Sequence, residues 1–185
     1  MSEAASVGSH GRLRLFCALT LGDSVRDVLV DWQRHSLRCH ARSVERANLH
    51  LTLAFLGHRP EEELGRVAKA LETAVRSLDG PVVLSPLRYL ETRSVAMLVL
   101  ADEKGRAGRL ALGLHEHLER AGVYEREARP WLPHVTVSRF RSPPRLRPPL
   151  PDLEPFSPSG AAVYHSVLTS GGALYEVLES VSLGG

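Results

Sequence analysis

Apolar positions along this chain recur in two rhythms. Four-residue recurrence marks amphipathic helices, and strict alternation or a short continuous apolar run marks strands. Residues 12–21, RLRLFCALTL, read as a buried strand. Gly22-Asp23-Ser24 then supplies a helix start, with Asp23 or Ser24 as the cap. Val25, Val28, Leu29 and Trp32 carry that helix to about His35. Residues 39–45 read as a loop or short strand, and residues 48–57, NLHLTLAFLG, as a strand ended by Gly57. Pro60 opens a second helix with Glu61, Glu62 and Glu63 at the positive end of its dipole. Its predicted buried stripe is Leu64, Val67, Ala68, Leu71 and Val75.

Two strands follow at 82–90 and 95–101, then a third helix at 105–122 with Leu110, Leu114 and Leu118 on one side. A loop at 123–133 carries Trp131 and leads into a strand at 132–140. The proline-rich stretch 142–158 excludes a regular element and reads as an extended connection. Strands at 161–169 and 173–183, around Gly171-Gly172, close the chain. Short strands mixed with helices in this order predict an α+β fold.

Two of the strands carry the same four-residue pattern. His50-Leu51-Thr52-Leu53 and His134-Val135-Thr136-Val137 each read His, aliphatic, Thr, aliphatic. Alternation puts His and Thr on one face and the two aliphatics on the other. Each motif strand sits near a helix of similar length, which suggests two lobes built from similar units.

Composition narrows the class. The chain has 185 residues, is 43% hydrophobic and 24% charged, and so has the makings of an ordinary buried core. No apolar run approaches the ~18 residues of a membrane span. Residues 1–11 are small and polar and read as a flexible tail, with 12–185 as one two-lobed domain. The only cysteines, Cys17 and Cys39, show neither metal-ligand spacing nor a disulfide pattern, which points to a reducing cytoplasm. A net charge of +2 argues against a general nucleic-acid coat. Of the 23 basic residues, all but Lys69 and Lys104 are Arg, whose planar fork suits phosphate.

Two His and two Thr on matched faces admit few chemistries. A zinc site wants three or four ligands. No His pair is spaced i, i+4, and no Asp or Glu stands within either motif; His115 and His117, two apart on a helix, diverge and read as surface residues. No metal or cofactor is therefore expected. Acid-base work fits better: one neutral imidazole accepts a proton while a charged one donates. Displacement at phosphorus uses such a pair in line, and two Thr hydroxyls can bond the non-bridging oxygens. No G-x-x-x-x-G-K-[ST] loop is present. Sequence alone does not say which His is the acid.

NLHLTLAFLG and HVTVSR resemble the paired H-x-T-x motifs of the 2H phosphoesterases, specifically the bacterial RNA 2′,3′-cyclic phosphodiesterases of the LigT-like branch. RLFCALTL and VYHSVLTSGGALYEVLESVSL extend the resemblance from about Arg12 to Leu183. It implies two pseudo-symmetric lobes of antiparallel sheet with outer helices around a central cleft. It also implies metal-independent opening of a 2′,3′-cyclic phosphate on an RNA end to a 2′-phosphate, by a monomer. By resemblance His50 is the proton donor and His134 the acceptor, with Thr52 and Thr136 on the phosphate.

An Arg at the place of Arg139 commonly helps bind phosphate in the family. Arg139 follows His134 by five, so only a bulge or strand end can turn it to the His face. Phe16 and Phe55 are candidates to stack a base, Phe55 being equally readable as core. Trp131, Ser166, Tyr175, His58 and Arg59 are weaker candidates for the cleft or its rim. Two alternatives stay open: a module that binds or joins RNA ends, and a 2H enzyme for another cyclic nucleotide such as ADP-ribose 1″,2″-cyclic phosphate.

Overall fold

A computed structural model describes residues 11–37, 42–169 and 172–183. Cys39, Gly171 and all but the last residue of the expected tail lie outside the described residues. The elements run β1 (Arg12–Thr20), α1 (Asp23–Ser36), β2 (Arg42–Ser43), β3 (His50–Pro60), α2 (Leu64–Arg76), β4 (Ser85–Glu91), β5 (Val95–Ala101), α3 (Arg106–Arg120), β6 (His134–Arg139), β7 (Gly160–Thr169) and β8 (Gly172–Val181). The strands form two four-stranded sheets, β3-β1-β7-β8 and β2-β6-β5-β4. Every strand pairing in them is antiparallel. This is the α+β, two-sheet architecture expected, with one motif strand in each sheet.

Three local departures have physical causes. Gly57 does not end the first motif strand. It sits at φ +70° opposite Leu15 and lets Leu56 loop out, so β3 runs on to Pro60; a left-handed glycine is what such a bulge uses. Gly22, not Asp23 or Ser24, occupies the cap of α1, and no side chain bonds that cap. The Asp23 carboxylate is held instead by Arg46 at 2.9 Å. On α2 the buried stripe includes Ala70 and Ala74 in place of Leu64 and Ala68, a shift that lets the small alanines seat the helix closely.

One apolar core joins both sheets and all three helices. It contains Leu15 and Leu19 of β1, Leu51 and Leu53 of β3, Leu98 of β5, Val135 and Val137 of β6, Leu29 of α1, Leu71 of α2 and Leu114 of α3. The proline-rich stretch crosses from β6 to β7 as an extended strap. The Glu91 carboxylate accepts the backbone N–H groups of Arg145 and Leu146, each at 2.8 Å. Trp32 donates its indole N–H to the Pro149 carbonyl at 2.7 Å. A short backbone pairing of Phe156 with Leu84 seats the far end.

Candidate active site

The two motif strands touch where the sheets abut. Along each, burial alternates in the same way: His and Thr partly buried, the aliphatics behind them buried, then one more buried residue and an exposed one. The doubled buried position is a β-bulge. Ala54 pairs with Cys17 and Thr52 with Ala18, leaving Leu53 unopposed. Ser138 pairs with Ala96 and Thr136 with Met97, leaving Val137 unopposed. One extra residue flips the alternation that follows it. The residue five after each His, Phe55 on β3 and Arg139 on β6, therefore turns to the His face.

Both imidazoles are held alike. His50 Nδ1 bonds the Asn48 carbonyl at 2.7 Å, and His134 Nδ1 bonds the Leu132 carbonyl at 2.8 Å. A carbonyl only accepts, so Nδ1 carries the proton in each and Nε2 is the working nitrogen. His50 Nε2 faces the Thr52 hydroxyl at 3.0 Å. The His50 ring lies against Phe16 at 4.9 Å and meets the edge of Tyr175 at 5.3 Å. Burial in this aromatic setting pushes the His50 pKa down to about 4. The Asn48 carbonyl opposes that shift, and the charges of His134, Arg139 and Arg26 add to it.

A cleft of about 780 Å³ opens over these groups. His50, Thr52, Thr136, Arg139, Phe55, Arg14, Arg42, Ser166 and Tyr175 line it. His134 is not among the residues that line it, but its charge bears on His50. Phe55 is 45% exposed, with the Arg14 guanidinium 5.0 Å from its ring centre. Phe55 is the exposed aromatic side chain of the cleft. Phe16 lies on the cleft side of its sheet but is only 3% exposed. Its ring stacks on Tyr164 at 4.9 Å and also lies 4.9 Å from the His50 ring. Phe16 is among the residues lining the cleft, with little of its ring exposed, and it is also a floor beneath His50.

The weaker candidates divide. Ser166 and Tyr175 reach the cleft. Trp131 donates its indole N–H to the Thr52 carbonyl at 3.0 Å, tying the approach to β6 onto β3. His58 and Arg59 lie at the far end of β3, where Arg59 bonds the Leu56 carbonyl. His115 is not a surface residue: it is buried, and its Nε2 bonds the Leu53 carbonyl at 2.8 Å. Asn48, Tyr164 and Arg14 were missed. Asn48 acts on His50 through its backbone carbonyl, which no residue type signals, and Tyr164 and Arg14 arrive on strands distant in sequence. Among the described residues no group of three or more His, Cys, Asp and Glu gathers to hold a metal ion.

The chain is similar to known proteins along most of its length. Residues 23–170 match the family model described as the 2′-5′ RNA ligase superfamily. The RNA 2′,3′-cyclic phosphodiesterase of Thermus thermophilus is 36% identical, the match covering 94% of this chain and 91% of that protein. The protein of the same name from Escherichia coli is 31% identical over 74% of this chain and 77% of its own length. Among solved structures, one from Thermus thermophilus is 34% identical with a TM-score of 0.76, covering 92% of this chain and 98% of that one. Escherichia coli LigT complexed with NADP+ is 27% identical with a TM-score of 0.77, covering 94% and 99%.

Proposed function

We propose that this chain, which belongs to the 2H phosphoesterases of the 2′-5′ RNA ligase superfamily, hydrolyses the 2′,3′-cyclic phosphate at an RNA end to a 2′-phosphate. The observation that carries this reading is the matched pair of strands: two imidazoles, each fixed through Nδ1 with Nε2 left for chemistry, on strands whose two Thr residues line the cleft. The name shared by the curated relatives supports the same substrate. The NADP+ complex of LigT supports a cleft that admits a nucleotide.

His134 Nε2 takes a proton from water as the water oxygen bonds to phosphorus. The P–O3′ bond breaks, and the departing O3′ receives the proton of His50 Nε2. The products are a 2′-phosphate and a free 3′-hydroxyl. Thr52, Thr136 and Arg139 bond the non-bridging oxygens, where charge sits in the transition state. The exposed ring of Phe55, beside Arg14, stacks the terminal base. All of these groups belong to the chain, and no step uses a metal ion. The free, buried Cys17 fits work in a reducing cytoplasm.

The test is the product formed from an oligonucleotide ending in a 2′,3′-cyclic phosphate, in excess EDTA. A 2′-phosphate end is expected; a 3′-phosphate end, or loss of turnover on chelation, refutes the reading. His50→Ala and His134→Ala should each lower kcat about a thousandfold with unchanged circular dichroism. Full rate in both variants overturns the acid-base assignment.

A further inference from the structure

Gln33 and His115 are buried polar side chains, 3% and 8% exposed, on helices outside the cleft. Neither touches the reacting groups. Each instead reaches a motif strand in the same place. Gln33 of α1 donates its amide N–H to the Val137 carbonyl at 2.7 Å and also bonds the Val44 carbonyl at 3.0 Å. His115 of α3 donates from Nε2 to the Leu53 carbonyl at 2.8 Å. Val137 and Leu53 are the bulged residues of the two motifs, each three positions after its motif His. Beyond them stand Arg139 and Phe55, the two side chains that face the cleft only because the bulges exist.

We infer that Gln33 and His115 are matched positioning residues: each clamps the carbonyl of a bulged residue and so aims Arg139, or Phe55, into the cleft. The physical reason is local. A bulge interrupts the ladder, and a strand that slips back by one residue regains regular pairing but turns its +5 side chain into the core. A buried donor bonded to the bulged carbonyl opposes that slip: at Leu53 the slip breaks the His115 bond, and at Val137, whose carbonyl also accepts the Val44 backbone N–H at 3.0 Å, it breaks the Gln33 bond that ties β6 to α1. The two helices serve the two strands separately. Gln33 therefore governs the phosphate end of the cleft through Arg139, and His115 the base end through Phe55. The inference rests on the proposed function for the meaning of those two ends.

Two substrates separate the ends: a 2′,3′-cyclic nucleotide, and ribose 2′,3′-cyclic phosphate, which lacks the base. Gln33→Met should raise KM about tenfold for both, with kcat changed less than threefold. His115→Leu should raise KM only for the nucleotide, and His115→Gln, which keeps a donor at the same reach, should restore it. Double variants give the decisive readout. Gln33→Met should add less than twofold to Arg139→Ala but multiply with Phe55→Ala, and His115→Leu should show the reverse.

Equal effects of each helix variant in both backgrounds mean general loosening and overturn the inference, as does an unchanged KM. Urea unfolding of every variant shows which of them fold. If Gln33→Met or His115→Leu does not fold, Gln33→Leu and His115→Met carry the same cycles. Failure of the functional reading looks different: the unmodified protein then turns over neither substrate. In that case the affinity of the Gln33 variants for inorganic phosphate still tests the Arg139 arm.

Discussion

His50 is asked to donate a proton, yet its surroundings keep it neutral. Burial against Phe16 and Tyr175 pushes its pKa down to about 4, and the nearby cations push the same way. At pH 7 the free chain therefore holds His50 uncharged, with Nε2 accepting from the Thr52 hydroxyl. A bound phosphate anion reverses the electrostatics and favours the imidazolium. Binding of a nucleoside 2′-phosphate at pH 7 should take up about one proton, read by calorimetry in two buffers of different ionisation enthalpy. The sign follows: the bound state holds the extra proton, so affinity falls as pH rises, by up to tenfold per unit above about 4. No uptake would mean that a bound phosphate leaves His50 neutral. The alternation that pairs His50 with Thr52 acts over two residues and is plain in the sequence. The burial that sets its pKa comes from Phe16, Tyr164 and Tyr175, on three other strands.

At the scale of elements, the strand and helix periods placed most boundaries within a few residues. The exceptions are where tertiary partners compete with local preference. Asp23 is drawn from a cap to Arg46, and β3 continues past Gly57 because β1 pairs with it as far as Pro60. The proline-rich strap shows the same dependence. Its prolines announce an extended chain but not its anchor, which is the Glu91 carboxylate. Glu91→Ala should cost about 2 kcal/mol in urea unfolding, because two backbone N–H groups lose a charged acceptor. An unchanged midpoint would mean that water replaces the carboxylate without cost. Arg139 is the instructive case: its offset from His134 demanded a bulge, and one stands at Val137. The same bulge after Thr52, which turns Phe55 outward, had no comparable prompt.

At the scale of the molecule, each sheet draws strands from both halves of the chain, and one apolar core spans the two sheets. Unfolding should therefore be a single transition, with midpoints by far-ultraviolet circular dichroism and by fluorescence of Trp32 and Trp131 coinciding. Separate midpoints would show that the lobes fold independently. The sequence by itself determined the matched His-Thr faces, the α+β order of elements and, through motif resemblance, the family. Those properties repeat over two to four residues or reside in residue types. Tertiary structure alone decided what surrounds them: the aromatic floor under His50, the exposure of Phe55, and the grip of Gln33 and His115 on the bulges. These bonds join residues 104 and 62 positions apart. No periodicity reaches that far, and only the packing of helix on sheet brings such groups together.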